Sequence, residues 1–131
     1  MSLDRLLGTW DVTMRHRALP EPISGRHSCE RVLDGAFLLL RCTYDHPDVP
    51  DALAVLDERT CCTFDVRGVS RVFDVAICDA GWTQVRRDED FWQRSTTRST
   101  GPDTREGTGE NSYDRGATWE HDFSMTWVRV R

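Results

Sequence analysis

Two histidines, His16 and His121, are the residues of this chain that are best suited by type and position to transfer a proton. His16 and His121 each lie in a segment where polar and apolar residues alternate, and each shares a face with apolar neighbours. Imidazole titrates near neutral pH, so two histidines facing one interior could act as general acid and base. In the structural alternative, His16 lies at a rim in water and His121 hydrogen-bonds a neighbouring group. The sequence leaves both open.

Two arginines also lie on otherwise apolar faces. Arg71 alternates with Phe73, and Arg86 alternates with Trp82 and Gln84. A buried guanidinium needs a partner, because an unpaired buried charge is costly. That partner is either a carbonyl- or carboxylate-bearing ligand, which suits the planar fork of arginine, or a carboxylate of the protein. The protein carboxylates available are those of Asp65, Asp90 and Glu110.

Other patterns of catalytic or ligand-binding residues are missing from the sequence. It contains no glycine-rich phosphate loop, nucleophile elbow or H-E-x-x-H. His27-x-Cys29 and His46-x-Asp48 lack a spaced second half, so we predict no metal site and no cofactor. The five cysteines form no C-x-x-C pair, which is typical of small buried residues in a reducing compartment.

Composition excludes several classes of function. The 131 residues, 1–131, are predicted to form a single domain. The 17 basic residues are all arginine, yet the net charge is −5, so neither nucleic acid nor an anionic membrane is an expected partner. The longest apolar run, 36–40, is too short to span a bilayer, and residues 1–8 hold no signal-like core. We therefore expect a soluble, cytoplasmic protein.

The elements that must position these side chains are strands. After a helical turn over 2–7, alternating segments bounded by turn residues recur along the whole chain. The predicted strands are 9–17, 25–33, 36–44, 52–57, 60–65, 69–78, 82–87, 91–97, a weak one at 104–112, and 118–129. Short connections without a crossover helix predict an all-β fold: one antiparallel up-and-down β-barrel of about eight to ten strands, closed because closure removes exposed edges.

Gly8-Thr9-Trp10 resembles the start of lipocalins and other calycins. The resemblance implies that Trp10 plugs one end of the barrel beneath an arginine of the last strand, here Arg129. Residues 33–38, 65–73, 90–94 and 118–123 further resemble blocks of a bacterial lipocalin-like family of unknown function. Arg105 and Gly109 depart from that family's apolar residue and tryptophan. Either this strand is frayed, or bulk has been removed to enlarge a cavity.

In such a barrel, pairing Trp10 with Arg129 brings His16 level with Phe123 or His121, so both histidines are predicted to be catalytic candidates facing the interior. The predicted ligand-binding residues are Met14, Arg71, Phe73, Trp82, Gln84, Arg86, Phe123 and Trp127. Tryptophans among them fit either core packing or an aromatic ligand cavity.

We predict a barrel, monomeric or homodimeric, that binds a small, largely apolar molecule, or one bearing a carbonyl or carboxylate. The alternative is a cofactor-independent isomerase, cyclase or hydratase acting inside the barrel by proton transfer. Two further hypotheses are haem binding through His121 and a dimerising module that uses Phe91-Trp92 as an exposed apolar face.

Overall fold

The structure is a computed structural model that describes residues 2–131. A 3₁₀ turn at Leu3–Leu6, begun by Ser2 as its N-cap, precedes ten strands. The strands are β1 Gly8–His16, β2 Ile23–Val32, β3 Phe37–Tyr44, β4 Ala52–Leu56, β5 Thr60–Asp65, β6 Ser70–Ile77, β7 Gly81–Arg87, β8 Trp92–Gly101, β9 Thr104–Ser112 and β10 Glu120–Arg129. Within residues 2–131, no helix is long and apolar enough to cross a bilayer.

Each strand pairs antiparallel with its neighbours in the chain, and β1 pairs with β10 to close the barrel. This confirms the predicted all-β, antiparallel up-and-down barrel. Its ten strands are the upper limit of the predicted eight to ten. The weak strand expected at 104–112 is β9, which pairs with β8 and β10 along its length and is therefore not frayed.

The alternation of side chains in β1 fixes the inside of the barrel. Trp10, Val12 and Met14 are buried, whereas Asp11 and Thr13 between them are exposed. Successive side chains of a strand point to opposite faces of the sheet, so the apolar set lines the interior. β6 follows the same rule, with Arg71 on its inner face.

One end of the barrel is closed by the N-terminal turn. Leu3 and Leu6 are buried there, and Trp10 Nε1 donates a hydrogen bond to the carbonyl oxygen of Leu6 at 2.9 Å. The guanidinium of Arg129 lies 4.1 Å from the centre of the Trp10 ring and donates to Asp103 at 3.0 Å and to the Leu7 carbonyl. We call this the closed end, and the opposite end, where β1 finishes, the mouth.

A bulge interrupts β10 between His121 and Phe123. His121 pairs with Glu110 and Phe123 with Gly109, so one extra residue, Asp122, lies between two successive pairs. An extra residue reverses the alternation of the side chains, so His121 is exposed on the outer surface while Phe123 keeps an inner position. The expectation that His121 faces the interior is wrong for this reason.

Phe91 and Trp92 are half-buried rather than an exposed apolar face. Phe91 stacks on Tyr113 with 5.6 Å between ring centres, and Arg87 lies over the Trp92 ring. The exposed apolar side chains of the barrel wall are instead those of Leu53, Phe64, Val72 and Val128.

Candidate functional site

The barrel interior holds a cavity of about 130 Å³. Leu6 bounds it on the side of the closed end, and apolar side chains such as Leu40, Leu56 and Met125 form much of its wall. The volume is below the roughly 300 Å³ at which drug-sized pockets begin. It is close to the roughly 150 Å³ of an apolar cavity that binds benzene. The space therefore suits one ring or a short chain.

The most unusual residue of this wall is Arg105, on β9. Its side chain is buried, with 5% of the residue exposed. The guanidinium carbon lies 4.4 Å from the ring centre of Trp10, 4.7 Å from that of Trp127 and 5.8 Å from that of Trp82. Among residues 2–131, no hydrogen-bond acceptor reaches its buried Nε and Nη1 atoms.

The positive charge of Arg105 has no counterion in the described part of the chain. Burial lowers the pKa of Arg105 to about 10, so it stays a cation at neutral pH. The thiols of Cys29 and Cys42 lie close enough to act on this charge, but burial raises their pKa values to about 11 and about 12, so both are neutral. The indole rings offset part of the desolvation cost without accepting the in-plane hydrogen bonds of the guanidinium.

Beside Arg105, His27 on β2 is buried and fixed in one tautomer. Trp127 Nε1, which can only donate, gives a hydrogen bond to His27 Nδ1 at 3.0 Å. The ring proton must therefore be on Nε2, which donates to the Tyr44 hydroxyl at 2.9 Å. Burial and, after it, the charge of Arg105 lower the pKa of His27 to about 3. His27 is thus a neutral, fully engaged wall of the cavity.

The two histidines predicted as catalytic do not meet inside the barrel. His16 lies at the rim of the mouth, where its Nε2 is 3.1 Å from Asp122 and its Nδ1 accepts from the backbone N–H of Ala18. His121 is exposed and lies 3.2 Å from the Ser124 hydroxyl. The bulge in β10 separates them, and neither lines the cavity.

The two predicted arginines lie at the mouth. Arg86 donates to Asp90 at 2.7 Å and to the carbonyl oxygen of Phe91 at 3.2 Å. The Phe91 ring lies 5.1 Å from the guanidinium of Arg86 and 5.6 Å from that of Arg71. Of the three carboxylates considered, Asp90 therefore pairs with Arg86, while Asp65 pairs with Arg67 and Glu110 with Arg94.

Of the residues predicted to bind ligand, Trp82, Gln84, Phe123 and Trp127 line the cavity, whereas the other four do not. Those four are Met14, Phe73, Arg71 and Arg86. Side-chain alternation identifies the inner face of a strand but not the height of a residue along the barrel. It therefore cannot separate side chains of the mouth and the core from those of the cavity. Arg105 and His27 were missed as ligand-facing groups. The signal for Arg105 was its position in a glycine-rich strand, two residues before Gly107.

The glycines of β9 make room for aromatic rings. A Cβ atom placed at Gly109 would lie 2.1 Å from Cε1 of Phe123, and one at Gly107 would lie 3.2 Å from Cζ3 of Trp127. Bulk has thus been removed from β9, but at Gly109 the Phe123 ring fills the space. The cavity wall next to Arg105 is the backbone of Gly107.

We expect Gly109→Ala to destabilise the protein by about 1 to 3 kcal/mol through overpacking against Phe123. The change is measured by urea unfolding. Gly109→Ala combined with Phe123→Leu should recover most of the loss. Gly101→Ala is the control, because a Cβ there meets only the side-chain hydroxyl of Thr104. An equal loss in the single and double variants would contradict the steric explanation.

Comparison with known proteins supports the fold class. No protein-family model and no curated protein matches the sequence. Among solved structures, the S-type phycobiliprotein lyase CPES from Guillardia theta is similar, with a TM-score of 0.59 and 14% identity over 100% of this chain and 94% of that one. At this identity the likeness concerns the fold alone. The shared fold is a closed antiparallel β-barrel.

Proposed function

We propose that this protein binds a small, largely apolar molecule in the barrel cavity. The observation that carries the proposal is the cavity itself: about 130 Å³, walled mainly by apolar and aromatic side chains with a few placed polar groups. Such a composition is typical of small-molecule sites. The lipocalin-like fold shared with a phycobiliprotein lyase is consistent with this function.

The size of the cavity restricts the class of ligand. A single aromatic ring or a short aliphatic chain fits the space, whereas a porphyrin does not. The haem hypothesis also loses its ligand residue, because His121 is exposed on the outer surface.

No feature of the cavity favours proton-transfer catalysis over binding. His16 and His121 lie outside the cavity, and both ring nitrogens of His27 are engaged by Trp127 and Tyr44. Binding is therefore the function that the geometry of the cavity supports best.

The proposal is tested with single-ring compounds, both neutral and anionic: toluene, benzyl alcohol, benzamide and benzoate. Trp82 and Trp127 line the cavity, so occupancy should change tryptophan fluorescence in a saturable way at one ligand per chain. Calorimetry provides an independent measure of the same binding.

Leu40→Phe should weaken this binding by at least about tenfold, because Leu40 lines the cavity and the larger phenylalanine ring would occupy part of it. Leu39→Phe is the matched control, since Leu39 is the neighbouring residue on the opposite face of β3. If no compound of the panel binds, or if both variants bind like the wild type, the proposed function is wrong.

A further inference from the structure

Arg105 adds a specific requirement to this cavity. We propose that the ligand is a monoanionic carboxylate whose two oxygens accept hydrogen bonds along one edge of the Arg105 guanidinium. The inference rests on the proposed function, because it concerns the same cavity, and it names the chemical class that the cavity selects.

The unsatisfied atoms of Arg105 lie on two different edges of the guanidinium. Nε and Nη1 are both buried and both lack an acceptor among residues 2–131. A carboxylate meets a guanidinium with two parallel hydrogen bonds along its Nη1–Nη2 edge or along its Nε–Nη2 edge, so either arrangement engages one of the two unpaired groups. Since leaving a buried donor unpaired is costly, a ligand that pairs with one of these N–H groups gains a hydrogen bond that the unliganded protein does not make.

The charges around Arg105 favour an anion with one negative charge. Arg129, the other guanidinium that acts on it, is engaged by Asp103 and the Leu7 carbonyl. His27, Cys29 and Cys42 are neutral at neutral pH. The site thus offers one uncompensated positive charge, which a carboxylate neutralises and a phosphate dianion would overcompensate.

The register of β9 and β10 orients such a ligand. Arg105 pairs with Trp127, Gly107 pairs with Met125, and Gly109 pairs with Phe123 at successive inner positions towards the mouth. The guanidinium is therefore at the closed end, with apolar wall above it. The carboxylate would lie deepest and the apolar body of the ligand would point towards the mouth.

The test compares benzoate with benzamide, which has the same ring and nearly the same shape but no charge. At pH 7 we expect the wild type to bind benzoate at least about tenfold more tightly than benzamide, as two charge-assisted hydrogen bonds require. Arg105→Met should bring this ratio to about one while retaining benzamide binding. Arg15→Met, on the exposed outer face of β1, removes the same charge and should leave the ratio unchanged.

The outcomes separate the two proposals. If neither compound, nor any other of the panel, binds the wild type, the proposed function fails and this inference with it. If both bind the wild type with equal affinity, only the carboxylate inference fails. A preference for benzoate that persists in Arg105→Met also overturns it. A wild-type ratio of about one overturns the inference whether or not the variant folds.

Discussion

Replacing Arg105 with methionine should raise the free energy of unfolding of the ligand-free protein by about 1 to 3 kcal/mol. Most substitutions of a buried side chain destabilise a protein, so the sign of this effect is distinctive. The reason is that the guanidinium is desolvated without a counterion and with two N–H groups unpaired. Burial lowers the pKa of Arg105 to about 10, because desolvation disfavours the cation.

The matched control is the same substitution at the other buried arginine. Arg86 donates to Asp90, Phe91 and Gln93 at the mouth, so Arg86→Met should lower the free energy of unfolding by about 1 to 3 kcal/mol. Urea unfolding of both variants and of the wild type measures the contrast. A loss of stability in Arg105→Met comparable to that in Arg86→Met would show that the contacts with the tryptophans outweigh the desolvation cost.

Acid should destabilise the folded state through His27. Its pKa is about 3 when folded, against 6.5 for an unperturbed histidine, so between these values the unfolded chain binds one proton more. The stability present above pH 6.5 is therefore lost as the pH falls, by about 1.4 kcal/mol per pH unit. At pH 3.5 the contribution of this one residue amounts to roughly 4 kcal/mol.

Carboxylates with lowered pKa values, such as Asp65 and Asp114, also weaken the fold in acid, so the histidine contribution must be isolated. The quantity to measure is the difference in free energy of unfolding between the wild type and His27→Gln at several pH values. It should shrink on acidification between pH 6.5 and pH 3.5. A flat profile for His27→Gln over this range would refute the assignment.

The alternation of polar and apolar residues was sufficient to predict the fold. The inner faces of β1 and β6 could be assigned because apolar residues recur at every second position of a strand that is buried on one side. The bulge in β10 could not be predicted, since Asp122 is an ordinary polar residue in a strand whose period otherwise continues. That single residue moved His121 from the interior to the outer surface.

The site was only partly predictable for a related reason. Alternation placed Trp82 and Trp127 on the inner face, where they line the cavity. It could not show that Arg86 meets Asp90, a residue of the adjoining loop. Arg105 escaped notice as a ligand-facing group because its own strand reads as polar and glycine-rich. The role proposed for Arg105 depends on the lack of a hydrogen-bond acceptor near its Nε and Nη1 atoms among residues 2–131. Only the packed barrel shows this lack.

The hydrogen bond from Trp127 to His27 joins residues 100 positions apart in the chain, and the contact of His27 with Tyr44 extends the link to β3. These side chains connect β10 to β2 and β3 while bypassing β1, which lies between β10 and β2 in the closed barrel. Contacts between distant parts of a chain form only after the entropy of a long loop has been lost. The polar link across the interior, and the ligand-binding wall of which it is a part, can therefore assemble only once the two ends of the chain have come together.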